Sequence, residues 1–169
     1  MIEVVRRATL TDAPAIARIY NQGIEDRIAT FEIEPRSDKD VRRVLEEHGS
    51  TFPAVVVERD GQVVAFAWVS GYRSRPCYAG VGEHSVYVSR EARMTGAGLA
   101  ALNALIVEAE REGFWKLVSR IFPENAASLR LHAKAGFREV GTYQRHARLD
   151  GQWRDCVIVE RLLAGASDS

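Results

Sequence analysis

Cysteine is nearly absent from this 169-residue chain: Cys77 and Cys156 are the only two, and neither has metal-ligand spacing around it. That rules out a disulfide framework, and two lone cysteines read as free thiols of a reducing compartment. Histidine is scarce too. His48, His84, His132 and His146 form no H-x-x-x-H pair and no His/Cys cluster, so no metal is expected. Charge of one sign is missing: 23 Lys plus Arg offset 23 Asp plus Glu, for a formal net charge of zero. The electrostatic footprint of a general nucleic-acid binder is therefore lacking. No apolar run approaches a membrane span, and Met1-Ile2-Glu3-Val4-Val5-Arg6 holds no signal-peptide core. The expectation is one cytoplasmic domain, large enough to bury a real core and bound to neither membrane nor nucleic acid.

Two common phosphate loops are also lacking. A Walker A loop needs Gly-Lys-Ser/Thr, but Gly98 is followed by Leu99-Ala100-Ala101. The dinucleotide fingerprint G-x-G-x-x-G would need glycine at 101, where the sometimes tolerated Ala101 stands. An NAD-binding fold stays a minor alternative. What the chain does have is Arg93-Met94-Thr95-Gly96-Ala97-Gly98 between a strand-like run, Glu83 to Val88, and a helix-like run to Arg111. A strand that breaks into small residues and opens a helix presents main-chain N–H groups and a positive dipole end, which suit a pyrophosphate. A tight connection with a capping glycine reads equally well from this motif alone.

The rest of the pattern predicts strand 2–6, a helix opened by Thr11-Asp12-Ala13-Pro14, and a loop around 25–36. Ile16, Ile19, Tyr20 and Ile24 recur at helical spacing and are expected in the core. Ser37-Asp38 caps a second helix that places Val41, Val44 and Leu45 inward and ends at Gly49. Residues 54–59 and 62–68 form a hairpin about Asp60-Gly61. An irregular stretch, Tyr72 to Gly82, precedes strand 83–88, helix 98–111, strand 115–121, helix 125–135 and strand 137–147. Asp150-Gly151 turns the chain into a last strand, 153–162. Trp115, Phe137 and Trp153 are expected in the core. The order β-α-α-β-β-β-α-β-α-β-β is α/β or α+β, with a mixed, mostly antiparallel sheet flanked by helices. Residues 1–163 make the domain and 164–169 a short polar tail.

Asn125-Ala126-Ala127-Ser128, Leu131-His132 and Gly136-Phe137 follow the glycine loop by one helix and one strand. Asn125 and Gly136 also read as ordinary helix caps. Together with R-x-x-G-x-G, however, the stretch resembles the acyl-CoA-binding half of the GNAT superfamily of N-acetyltransferases. Tyr72-Arg73-Ser74-Arg75-Pro76-Cys77-Tyr78, Glu83-His84-Ser85-Val86-Tyr87-Val88, Ile121-Phe122-Pro123-Glu124-Asn125 and Leu149-Asp150-Gly151-Gln152-Trp153-Arg154-Asp155 narrow the likeness. They resemble the subgroup that acetylates phosphinothricin, methionine sulfoximine or arsinothricin. The likeness spans residues 2–163. One departure is that Met94-Thr95 stands where the subgroup commonly has Gly-x.

The resemblance implies a splayed strand pair that admits acetyl-CoA. Val86, Tyr87 and Val88 would pair with its pantetheine arm, and a main-chain N–H near Val88 would face the thioester oxygen. Arg93, Met94, Thr95, Gly96, Ala97, Gly98 and Leu99, with Asn125 and Ser128, would hold the rest of the cofactor. Glu83 falls at the family's general-base position, and His132 where relatives carry a group that protonates the departing thiolate. Arg73 and Arg75 match the substrate loop, where guanidinium forks suit carboxylate or phosphinate oxygens. Tyr78 and Phe31 would wall that pocket. For each residue a plain structural role stays open: a solvated charge, a partly buried histidine, a core aromatic. Cys77 has no basic partner, so direct attack is expected over a ping-pong route. The resemblance also implies a small amino-acid acceptor and a homodimer. Acetylation of another small amine or a protein N-terminus, and a non-catalytic CoA-sensing module, remain alternatives.

Overall fold

The computed structural model describes residues 1–166 and contains seven strands and four α-helices in the expected order among them. β1 (Glu3–Arg7) leads through a 3-10 turn into α1 (Ala13–Asp26), whose Pro14 supplies a preset first-turn φ. Ile16, Ile19, Tyr20 and Ile24 line its buried stripe. Helix α1 therefore takes in residues 25 and 26 and stops where Arg27 turns left-handed, leaving 27–36 irregular. A capping box starts α2 (Asp38–His48): Ser37 Oγ accepts from the Asp40 N–H at 3.1 Å, and the Asp40 carboxylate accepts from the Ser37 N–H at 2.9 Å.

The remaining elements are β2 (Ala54–Arg59), β3 (Gln62–Gly71), β4 (Val81–Val88), α3 (Ala97–Arg111), β5 (Lys116–Ile121), α4 (Ala126–Lys134), β6 (Arg138–Leu149) and β7 (Gln152–Leu162). They form one seven-stranded sheet in the order β1-β2-β3-β4-β5-β7-β6. Each neighbouring pair is antiparallel except β4 with β5, which α3 joins as a crossover. Helices cover both faces, with α3 over a core that includes Val57, Ala67, Leu105 and Leu117. On the other face α1 and α2 cover Phe66, Trp68 and Tyr87.

Two expectations need correction. Strands β3 and β4 run further toward each other than the pattern suggested, to Gly71 and from Val81, because their ladder closes at Gly71 opposite Gly82. Trp153 is not core: it stands 52 % exposed at the tip of the β6–β7 hairpin, with the Arg148 guanidinium 4.3 Å from its ring centroid. The turn itself is tied to the end of α1, Asp150 meeting Arg27 at 3.1 Å, while the Trp153 ring stays on the solvent side. Of the expected polar tail, Ala164–Ala166 form a 3-10 turn and 167–169 lie outside the described residues. No helix among the described residues is long and apolar enough to cross a membrane.

Candidate active site

The sheet is open at its centre. β4 and β5 share only three rungs, Val81 with Lys116, Gly82 with Leu117 and Glu83 with Val118. Past Glu83, β4 stays on β3 as far as Val88 while β5 stays on β7 as far as Ile121. The strands therefore diverge into a wedge. Ser89 donates to the Val64 carbonyl on β3 at 2.8 Å, and Ser70 of β3 reaches the Glu83 carbonyl at 3.3 Å. Main-chain polar groups alternate sides along a strand, so those of His84, Val86 and Val88 face the wedge. There the Ser119 hydroxyl donates to the His84 carbonyl at 3.0 Å, bridging the strands just beyond their last rung. The amides of Val86 and Val88 have no strand partner on that side among the described residues, and they suit an extended, amide-bearing chain. The Val86 and Val88 side chains meanwhile pack under α3, and Tyr87 stacks on Phe66 with ring centroids 5.2 Å apart.

The glycine loop closes one end of the wedge. Gly96 caps α3 in a left-handed conformation (φ 88°) with no side chain on the helix end, so the first N–H groups of Ala97, Gly98 and Leu99 stay open to an anion. A Cβ on Gly98 would stand 3.1 Å from Val88 and 3.2 Å from Leu131, so glycine lets α3 lie tight against β4 and α4. Arg59 holds Thr95 through its hydroxyl and carbonyl, and Thr95 donates to Ala92. Arg93 pairs with Asp26 at 2.6 Å, and Arg90 with Arg93 holds that carboxyl below its usual range. Met94 is exposed and left-handed at φ 63°.

Adjacent residues of β4 face opposite ways, and here that separates two chemistries. Glu83 lies on the α1/α2 face, where its Oε1 meets Arg120 Nη2 at 2.8 Å. His84 lies on the α3/α4 face, where its Nε2 meets His132 Nε2 at 2.9 Å. Both imidazoles are 2 % exposed, and Phe137 packs on each. His132 Nδ1 lies 2.8 Å from the Ser128 carbonyl, which assigns that nitrogen its proton. His132 Nε2 then accepts from His84 Nε2–H, so both nitrogens of His132 are occupied. Burial, and then the charge of His132, pushes the His84 imidazole well below its ordinary range. Burial also lowers His132, against the pull of the Ser128 carbonyl.

Asn125 does serve as the α4 cap: its side-chain oxygen accepts from the Ser128 N–H at 3.2 Å, while its amide group donates to the Ile28 carbonyl. That second bond brings the 27–36 segment over the wedge mouth, where Phe31 meets Phe122 edge-on with centroids 4.7 Å apart. Arg73, Arg75 and Tyr78 sit together in the exposed β3–β4 connection. Arg73 lies over the Tyr72 ring, and Tyr72 meets Tyr78 edge-on. None of the three contacts Glu83. The guanidinium that does is Arg120, which sequence reasoning missed along with His84. The run Ser119-Arg120-Ile121, with the arginine alone exposed, marks Arg120 as outward-facing but leaves its partner unread.

Known proteins share this fold. A model of the acetyltransferase (GNAT) family matches residues 18–137. A phosphinothricin N-acetyltransferase of Alcaligenes faecalis is 34 % identical over 154 residues, covering 90 % of this chain and 78 % of its own. The crystal structure of a phosphinothricin acetyltransferase from Sinorhizobium meliloti in complex with acetyl-CoA superposes with a TM-score of 0.88 at 30 % identity, over 96 % of this chain and 89 % of that one. That of a ribosomal-protein-alanine N-acetyltransferase from Brucella melitensis gives a TM-score of 0.91 at 34 % identity, over 95 % and 99 % of the two chains. On its fold, its wedge and these matches, the chain belongs to the acetyltransferase (GNAT) family.

Proposed function

We propose that this protein moves the acetyl group of acetyl-CoA to the α-amine of a small, glutamate-like amino acid such as phosphinothricin, methionine sulfoximine or sulfone, or arsinothricin. The observation that carries the reading is the wedge, which begins at Glu83 and leaves the Val86 and Val88 amides facing its gap. The residues present fit acetyl-CoA. The open N–H groups of Ala97 to Leu99 suit its pyrophosphate, Gly98 lets α3 bring them close against β4, and the wedge amides suit its pantetheine arm. Bound there, it supplies an activated acyl group.

Glu83 then takes a proton from the incoming ammonium, directly or through water, which frees the lone pair that attacks. A main-chain N–H near Val88 stabilises the oxygen as it gains charge. His132 remains the candidate donor to the leaving sulfur, a step for which its imidazole must first take up a second proton, because its Nδ1–H is held by the Ser128 carbonyl and its Nε2 accepts from His84. Arg73, Arg75 and Tyr78 would receive the substrate's distal anionic group. The role is detoxification of inhibitors of glutamine synthesis, in the cytoplasm. We further propose a homodimer: β6 is a long sheet edge with Val140 and Tyr143 exposed, a surface that a second copy would cover.

The 34 % identity to a ribosomal-protein-alanine acetyltransferase favours a second reading, acetylation of a protein N-terminus. One assay separates the two. The purified protein is incubated with acetyl-CoA and phosphinothricin, methionine sulfoximine, arsinothricin, glutamate or alanine-initiated peptides, and release of free CoA thiol is followed. Selective turnover of the glutamate analogues supports the first reading; turnover of peptides alone replaces it with the second.

A further inference from the structure

Arg120 is the residue at the wedge with no assigned task. It leaves β5 two positions beyond Val118, the last rung shared with β4, and therefore shares a face with that rung's partner Glu83. Its guanidinium touches one oxygen of the carboxylate at 2.8 Å, with the two side chains 50 % and 25 % exposed. Among the described residues no second donor meets the Glu83 carboxylate, and no second acceptor meets the Arg120 fork. The neighbouring arginine is spent differently: Arg154 reaches Glu124 at 3.5 Å and the Arg27 carbonyl at 3.4 Å, and lies over the Phe122 ring. Cys156 is beside the pair, its thiol pushed up by burial and eased by the Arg120 charge.

We propose that Glu83 and Arg120 together form a clamp for the zwitterionic head of a free α-amino acid. Such a head carries an ammonium and a carboxylate on one carbon, opposite charges side by side. The pair presents the same charges in mirrored order. The ammonium donates to the free Glu83 oxygen, and the carboxylate accepts from the unused N–H groups of Arg120. Neither protein charge is left unmatched when the ligand enters, which would happen if a neutral amide or a plain amine took the place. A half-exposed pair holds itself only weakly, so sharing it with a ligand sacrifices little.

This inference rests on the acetyl-acceptor reading above and sharpens it: the acceptor must keep a free α-carboxylate. It also divides labour among the arginines. Arg120 holds the α-end beside the base, and Arg73 and Arg75 are left for the distal anionic group. A peptide N-terminus, whose α-carboxyl is an amide, leaves Arg120 without a partner.

The test compares phosphinothricin with its α-carboxamide in wild-type, Arg120→Gln and Arg120→Lys enzymes, recording kcat and KM separately. The wild type should favour the acid, and Arg120→Gln should raise KM for the acid roughly 10- to 100-fold while changing the amide little. Lysine, which keeps the charge without the fork, should restore part of the loss. Any effect of the substitution on Glu83 itself falls on both substrates and cancels in the acid-to-amide ratio. An unchanged ratio overturns the clamp and leaves Arg120 as an orienting neighbour. If the wild type turns over neither compound, the acceptor reading fails, and calorimetric binding of the two compounds decides the clamp. Binding of the acid over the amide, lost in Arg120→Gln, supports it; equal or absent binding overturns it.

Discussion

Glu83 and His84 are neighbours in the chain, yet the surroundings of their side chains have little in common. Glu83 shares a wet, half-exposed ion pair with Arg120, and water and ligand can reach it. His84 shares a dry contact with His132 under Phe137, 2 % exposed. A wet ion pair is inexpensive to open and can trade partners. Two buried imidazoles have no solvent to replace a lost bond, so their geometry is fixed and their charge suppressed. The pleat of one strand thus separates an exchangeable face, suited to the amine substrate, from a rigid face beneath α3 and α4, where the glycine loop lies.

The largest effect is expected on the wet face. Glu83→Gln keeps the shape and removes the proposed base, which should lower kcat/KM at neutral pH by about 100-fold, at the low end of general-base contributions. Activity should recover in part toward about pH 9, as free amine accumulates without help. A rate that stays unchanged across that range would remove Glu83 as base and erase the functional contrast between the faces.

The dry face should show itself in stability. His84 and His132 both bind protons less readily in the fold than in the unfolded chain. Below the ordinary histidine value of about 6.5 the unfolded state takes up protons that the native state refuses. Stability is therefore full above that pH and declines as pH falls from it toward the lowered native values. The slope should approach about 1.4 kcal/mol per pH unit for each histidine. The groups facing the rings are the Ser128 hydroxyl and carbonyl and the main chain of Val118, with no carboxylate bonded to either ring among the described residues. His48, also lowered by burial, adds to the same decline from the far side of the sheet. Urea titrations between about pH 7.5 and 5 should show this loss, and a shallower one in His132→Gln. Equal slopes would mean that the pair accepts protons freely.

Much of this architecture was legible before any coordinates, and the reasons are local. Ile16, Ile19 and Ile24 recur at helical spacing, and both Asp-Gly corners carry the positive φ angles that turn a hairpin. Those features need no partner to be read. The wedge is different, because it is a register event: β4 and β5 part after three rungs, which neither strand records in its own residues. The resemblance implied it; the pattern did not. His84 meets a residue 48 positions away and Arg120 reaches across strands, so each looked like an ordinary strand residue. Trp153 misled for the opposite reason. Its size favours burial, but the ring is left half-exposed at the turn, against Arg148.

The smallest expected effect lies in the glycine loop of the rigid face. Met94 stands left-handed at φ 63° and 80 % exposed, so its side chain contributes little packing to offset the strain of that conformation. A side chain with a Cβ is disfavoured there by roughly 1–2 kcal/mol, part of which glycine gives back as extra freedom when unfolded. Met94→Gly should therefore raise stability by about 1 kcal/mol, read as a Tm increase of roughly 2–4 °C in a chain of this size. Glu83 chemistry should be untouched, since the loop is on the other side of the wedge, and KM for the amino acid should stay constant. A fall in Tm would mean that the methionine side chain holds the loop in place. A change in kcat instead would show that the loop and the wet face are coupled, and that the contrast across β4 is less complete than the side-chain contacts indicate.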